Sequence, residues 1–246
     1  MKNNEEKNIL QDLIKQFNFD SSKKYKLLVF IGLLGDFDSI EYATNLSTFI
    51  KKNKFAEDIE IYMIAIGREK GKEKFCQFTG FSEKNIRIVE SNDIHKLVGA
   101  SEGLDIGLGG WINMFLMLLG IGSPNTLREV LRGYTGDISS NQIYKPHDEI
   151  NLFNLFKFSG KSFDKTFGGN YLRPFELATL RLNNMIEIIQ NWDDYIIDTA
   201  FLTQRVATFL INDQNKIIYK FISKDILNYS EKMNRPTDFL SQILDK

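Results

Sequence analysis

The amino-acid sequence predicts an α/β fold, with a mixed sheet flanked by helices. Three observations carry that prediction. Lys26–Gly32 and Asp58–Gly67 are near-continuous apolar runs that each end in glycine, the pattern of strands covered on both faces. Each run is followed by apolar residues at helical spacing, so strands and helices alternate. Near the end, Arg205–Ile211 and Lys216–Phe221 flank the polar turn 212–215, which reads as an antiparallel hairpin.

The elements follow in order. Asn8–Phe17 spaces Ile9, Leu10, Leu13, Ile14 and Phe17 as an amphipathic helix within an N-terminal segment, 1–24. A domain over 25–246 begins with the Lys26–Gly32 strand. Asp38 or Ser39 is expected to cap the next helix, Ser39–Lys51, whose inner stripe is Ile40, Ala43, Leu46, Phe49 and Ile50. The second strand precedes a helix over Glu69–Gly80, and Asn85–Val89 is a third, shorter strand. Ser91 or Asn92 starts a short helix that ends at Gly99. This order predicts parallel strands joined by right-handed crossovers. A long, mainly helical insertion then interrupts the domain at about 100–200. It holds an apolar block from Leu108 to Ile121, a helix over Pro124–Leu131 and a loop over 133–144. An aromatic-rich irregular stretch follows at 145–170, with Phe153, Phe156, Phe158, Phe163 and Phe167. The insertion closes with a strong helix over Pro174–Trp192, and Pro236–Leu244 makes the last helix of the chain.

Composition narrows the function classes. Net charge is -1, from 31 basic and 32 acidic residues, so no field of one sign collects nucleic acid. The single cysteine of 246 residues excludes an internal disulfide and suits a reducing compartment. The polar start, Met1–Lys7, lacks the apolar core of a secretory signal, and the expectation is a cytoplasmic protein. The Leu108–Ile121 block is shorter than the ~20 residues that cross a bilayer.

Several motifs carry a resemblance. Phe75-Cys76-Gln77-Phe78-Thr79-Gly80-Phe81, a short strand, and Ile94-His95-Lys96-Leu97-Val98-Gly99 follow one another. Arg205-Val206-Ala207-Thr208-Phe209 then precedes the hairpin. In this order they resemble the peroxiredoxin-like AhpC/TSA family, which implies a thioredoxin-like fold and thiol-dependent antioxidant chemistry. With its long insertion, Arg173–Leu180 included, the chain resembles a branch of photosynthetic lineages. Cysteine-active members of that family read Cys-x-x-Cys-Arg-x-x-Ala at the turn after the first strand. Aligned on Glu41-Tyr42-Ala43, the two cysteine positions hold Asp36 and Ser39, and the arginine position holds Ile40. A helix N-terminus lowers a thiol pKa, but no thiol stands there. The resemblance also implies an arginine beside the nucleophile, here Arg205, which would then face Asp36 as an ion pair.

The remaining candidates divide between chemistry and packing. Cys76 sits mid-helix between Phe75 and Phe78 and reads as a small buried hydrophobe; the alternative makes it a one-cysteine peroxidatic thiol. Asp36 and Asp38 suit helix capping more than metal binding, because no third ligand is near. His95 takes the place of a packing Tyr, and His147 lies in a loop. One cysteine and two isolated histidines form no metal set, and no cofactor motif is complete. Ser159-Gly160-Lys161-Ser162 lacks the first glycine of a phosphate loop, since residue 155 is Leu.

In the apolar block, Trp111, Met114, Phe115 and Met117 are the candidate contact residues. Packing beneath 145–170 is the plainer expectation for that block; a protein partner or a peripheral membrane contact is the alternative. Two functional readings stand: an oxidoreductase of the peroxiredoxin type acting through Cys76, or a thiol-free relative kept as a binding or assembly module. The residues favour the second, because peroxidase chemistry needs a thiolate at the helix start.

Overall fold

A computed structural model describes residues 2–19, 22–53, 57–135, 142–152, 156–163 and 173–244. Helix α1, Lys2–Gln16, leads into strand β1, Tyr25–Leu33. Then come α2 (Phe37–Lys52), β2 (Ile59–Ile66), α3 (Glu69–Thr79), β3 (Ile86–Val89) and α4 (Asp93–Leu97). Two helices follow, α5 (Gly110–Leu118) and α6 (Pro124–Thr135), and then two short strands, β4 (Glu149–Leu152) and β5 (Phe156–Ser159). Helices α7 (Arg173–Gln190) and α8 (Trp192–Tyr195) lead to strands β6 (Ala207–Asn212) and β7 (Ile217–Ile222) and the last helix, α9 (Asp238–Leu244).

The main sheet has the order β3-β2-β1-β6-β7. Strand β1 runs parallel to β2 and antiparallel to β6, and β6 pairs antiparallel with β7. This is the mixed sheet of a thioredoxin-like fold. Strand β1 is central and buried along nearly its whole length, as its unbroken apolar run requires. Its alternate side chains enter two cores. Leu27, Val29, Ile31 and Leu33 pack with α2, α3 and α8 residues such as Ile40, Phe75 and Tyr195. Leu28 and Phe30 pack with Leu10, Leu13 and Ile14 of α1 on the other face.

Two expectations are corrected. The cap of α2 is Asp36, not Asp38 or Ser39, and the helix begins at Phe37. Asp36 has extended backbone, and its side chain accepts from the Asp38 amide, which lets the helix start two residues earlier. The stretch 145–170 is not wholly irregular, since β4 and β5 form a hairpin with Ile150 opposite Phe158. Phe153 and Phe167 lie outside the described residues, as does 136–141 of the expected loop. Helix α5 lies against α6 and the turn Thr199–Thr203. At Gly110 a Cβ would sit 1.8 Å from the Thr199 carbonyl oxygen, so only glycine permits that approach.

Candidate functional site

Strand β1 delivers its carboxyl end to the turn Leu34-Gly35-Asp36, the place where open α/β sheets position ligands. The Leu34 amide donates to the Ile66 carbonyl (3.0 Å), and the Asp36 amide to that of Leu33 (3.0 Å), so the turn is tied to the sheet. Arg205 meets it just before β6. Its Nη1 donates to Asp38 Oδ2 at 2.9 Å and its Nη2 reaches Asp36 Oδ2 at 3.4 Å. The Arg205 side chain also donates from Nε to the Thr203 carbonyl (2.7 Å) and from Nη2 to that of Leu202 (2.9 Å). Arg205 is the largest fully buried side chain described, so its charge must be held by these acceptors. The nearer carboxylate is Asp38, the second residue of α2, rather than Asp36.

Two carboxyl groups share one guanidinium here. Burial raises the Asp38 pKa well above the usual carboxylate range, the Asp36 charge raises it further, and Arg205 only partly offsets both. Burial also raises that of Asp36, against the pull of Arg205. Among the described residues, Asp38 Oδ1 and Ser39 Oγ are buried without a hydrogen-bond partner.

The turn is covered from outside. Gly35 lies so close to α8 that a Cβ there would stand 2.7 Å from Ile196 Cδ1 and 3.0 Å from Tyr195 Cβ. Next to the turn, Phe37 packs with Met114 against Met117, Ile226 and Leu227. Asp38, Ser39 and Arg205 are inaccessible, and the Asp36 side chain is 11% exposed.

The AhpC/TSA antioxidant enzyme family model matches residues 45–225. The chain belongs to that family. The match begins after the Asp36 turn and takes in Cys76, His95, α5 to α8 and Arg205. No curated protein and no solved structure matches the chain.

Antioxidant chemistry in an AhpC/TSA protein calls for a reactive thiolate, and Cys76 is the single thiol here. It lies in the interior of α3, not at its N-terminus, and packs with Phe75 and Phe81. Burial pushes its pKa up to about 12, with the nearby Glu83 charge adding to the shift. It therefore stays a thiol near neutrality. His95, also buried, lies on the other side of β1, where Nε2–H donates to the Ile31 carbonyl at 2.7 Å. Burial holds its pKa down at about 4, so the imidazole is neutral. Its Nδ1 has no described partner. His147 is exposed in the loop before β4, as expected of a loop residue. Among the described residues no cluster of His, Cys, Asp and Glu is arranged to hold a metal.

A second charged cluster escaped the sequence reading. Glu41, one turn past Asp38 on α2, is buried and accepts from Arg181 Nε at 3.0 Å. Arg181 Nη2 continues to Glu129 Oε1 at 3.2 Å, and Arg132 Nε donates to Glu129 Oε2 at 2.7 Å. This chain of alternating charge joins α2, α7 and α6. Its two ends, Glu41 and Arg132, line a cleft of about 380 Å³ together with Asn45, Leu177, Tyr229 and Met233. Its members lie on separate helices, so no local spacing in the sequence marks it.

The four apolar candidates are divided by the structure. Met117 is wholly buried and Met114 half-buried, so neither offers a contact surface of consequence. Trp111 and Phe115 are exposed, and Trp111 stacks on Trp192 with centroids 5.2 Å apart. Ile112, Leu118 and Leu119, which were not singled out, share their exposed face.

Proposed function

We propose that this chain is a non-catalytic member of the AhpC/TSA antioxidant enzyme family, a binding or assembly module whose redox thiols have been replaced at Asp36 and Ser39. One observation carries the reading: Arg205, the cation that would stabilise a thiolate, is held by Asp38, Asp36 and two carbonyls at a buried turn without sulfur. A carboxylate gains nothing as a nucleophile toward a peroxide, and an unactivated hydroxyl has no sulfenic-acid chemistry. The competing reading, peroxidase action through Cys76, has against it the burial and raised pKa of that thiol. The kinship with the photosynthetic branch and a cytoplasmic site of action, where a lone cysteine stays reduced, belong to the same proposal.

Binding then falls to the exposed apolar face of α5, since the family's usual pocket is filled. Trapping with a sulfenic-acid reagent during exposure to hydrogen peroxide, read by mass spectrometry of the Cys76 peptide, tests the non-catalytic claim. The expected result is an unmodified peptide at equimolar peroxide. Stoichiometric trapping would support the peroxidase instead.

A further inference from the structure

We infer that the loop–helix–turn 106–122, with the start of α6, is a lipid-contact surface that seats this protein on a bilayer by shallow insertion. The inference rests on the binding-module reading only in taking this face as the one that binds. Among the described residues, ten of the seventeen exposed large hydrophobics fall between 106 and 131, each 36–59% exposed. Trp111, Ile112, Phe115, Leu118 and Leu119 form the outer face of α5. Ile106 and Leu108 precede the helix and Ile121 follows it. Leu127 lies over Gly120 and extends the patch onto α6. Ten side chains of this size, about half exposed, exceed the ~600 Å² at the upper end for patches on soluble monomers.

Charge and hydrogen bonding choose the occupant. Between Asp105 and Arg128 no residue carries a charge. Of the polar side chains in the stretch, Asn113, Ser123 and Thr126 are buried, and the exposed Asn125 donates to Asp225 at 2.8 Å. A protein interface of this area would carry ~10 hydrogen bonds and a polar rim to set its register. This face presents none from residues 106–122. Such a surface matches a medium without directional partners, the acyl region of a membrane.

Both ends of the segment pair some of their backbone groups internally, which suits a medium where an unpaired amide is costly. The Ile106 and Gly107 amides donate to the Asn113 and Asp105 side chains, and Asn113 in turn donates to Asp105. At the other end Ile121 N–H donates to the Leu116 carbonyl and Gly120 N–H to that of Met117. With Gly120 at φ +89°, this is the glycine-closed helix end that consumes terminal carbonyls. Among the described residues no helix is long and apolar enough to cross a membrane, so the proposed contact is with one leaflet.

The test is cosedimentation of the full chain with neutral phosphatidylcholine vesicles, alongside the emission of Trp111 and Trp192. The wild type should sediment with vesicles, its emission should shift to the blue, and added salt should change neither, because no charge is involved. Phe115→Glu and Leu119→Glu should each lower partitioning by about tenfold or more. Leu97→Glu, at an equally exposed apolar residue on α4, should leave it unchanged. Circular dichroism of each variant confirms folding, which these exposed sites do not threaten. Three results would overturn the inference: no vesicle binding, binding unaffected by Phe115→Glu, or a dimer dissolved by Phe115→Glu without vesicle binding, which assigns the face to a second copy. Peroxide turnover by a protein that still binds vesicles would sink the non-catalytic reading and spare this one.

Discussion

Arg205 has no solvent contact, so its charge depends wholly on Asp38, Asp36 and two carbonyls. Removing it leaves two buried carboxyl groups without a cation. Arg205→Met is expected to destabilise by about 3–5 kcal/mol, the usual cost of breaking a buried pair; a denaturant midpoint within experimental error of wild type would contradict the assigned pairing. Asp38 behaves in the opposite sense. Its folded pKa is raised, so the protein binds a proton there that the unfolded chain releases. Its contribution is full below the ordinary value of 3.8 and declines as pH rises above that toward the folded pKa. Asp38→Asn, which imitates the neutral acid, should remove that decline and hold stability at neutral pH. His95 runs the other way again. Its folded pKa of about 4 lies below the ordinary 6.5, so its contribution is complete above 6.5 and is lost as pH falls toward 4. That loss is on the order of 3 kcal/mol for so buried a group. His95→Gln should flatten the acid limb of the unfolding midpoint against pH, and an unchanged limb would show that another group dominates it.

At the scale of elements, the Gly35 turn and α8 test how tightly the old pocket is closed. Gly35→Ala places a methyl against Ile196 and Tyr195 and should cost about 1–3 kcal/mol through overpacking. A neutral result, read by thermal melting, would mean that α8 stands off easily and the turn is accessible. The main strands were legible because burial on both faces leaves few polar residues to blur the run; β1 has one charge, Lys26, and β2 one, Glu60, each near the strand's start. The start of α2 was misread by two residues because three potential caps, Asp36, Asp38 and Ser39, crowd one turn, and only the backbone geometry selects among them. The β4–β5 hairpin was missed for a different reason. Its strands are four residues each, too short for alternation to stand out among clustered aromatics. The Glu41–Arg181–Glu129 chain was invisible because its members lie far apart in sequence, and a pairing between helices leaves no local spacing. Arg205 does face Asp36, at 3.4 Å, but its shorter contact, 2.9 Å to Asp38, was not foreseen. Sequence shows that a cation and two acids exist, but side-chain reach decides which pair forms.

For the whole molecule, the proposed reading separates two tasks that a peroxidase combines. The sheet end where the resemblance would put a reactive sulfur holds Arg205 and Asp38, while α5 turns an uncharged face outward. On that reading fold and chemistry are independent, as expected when function resides in a site rather than in the architecture. The central claim is the absence of thiol catalysis, and consumption of hydrogen peroxide by purified protein with an excess of dithiol reductant tests it most directly. Wild type and Cys76→Ser should both match the buffer rate. Catalytic turnover by wild type that disappears in Cys76→Ser would contradict the account.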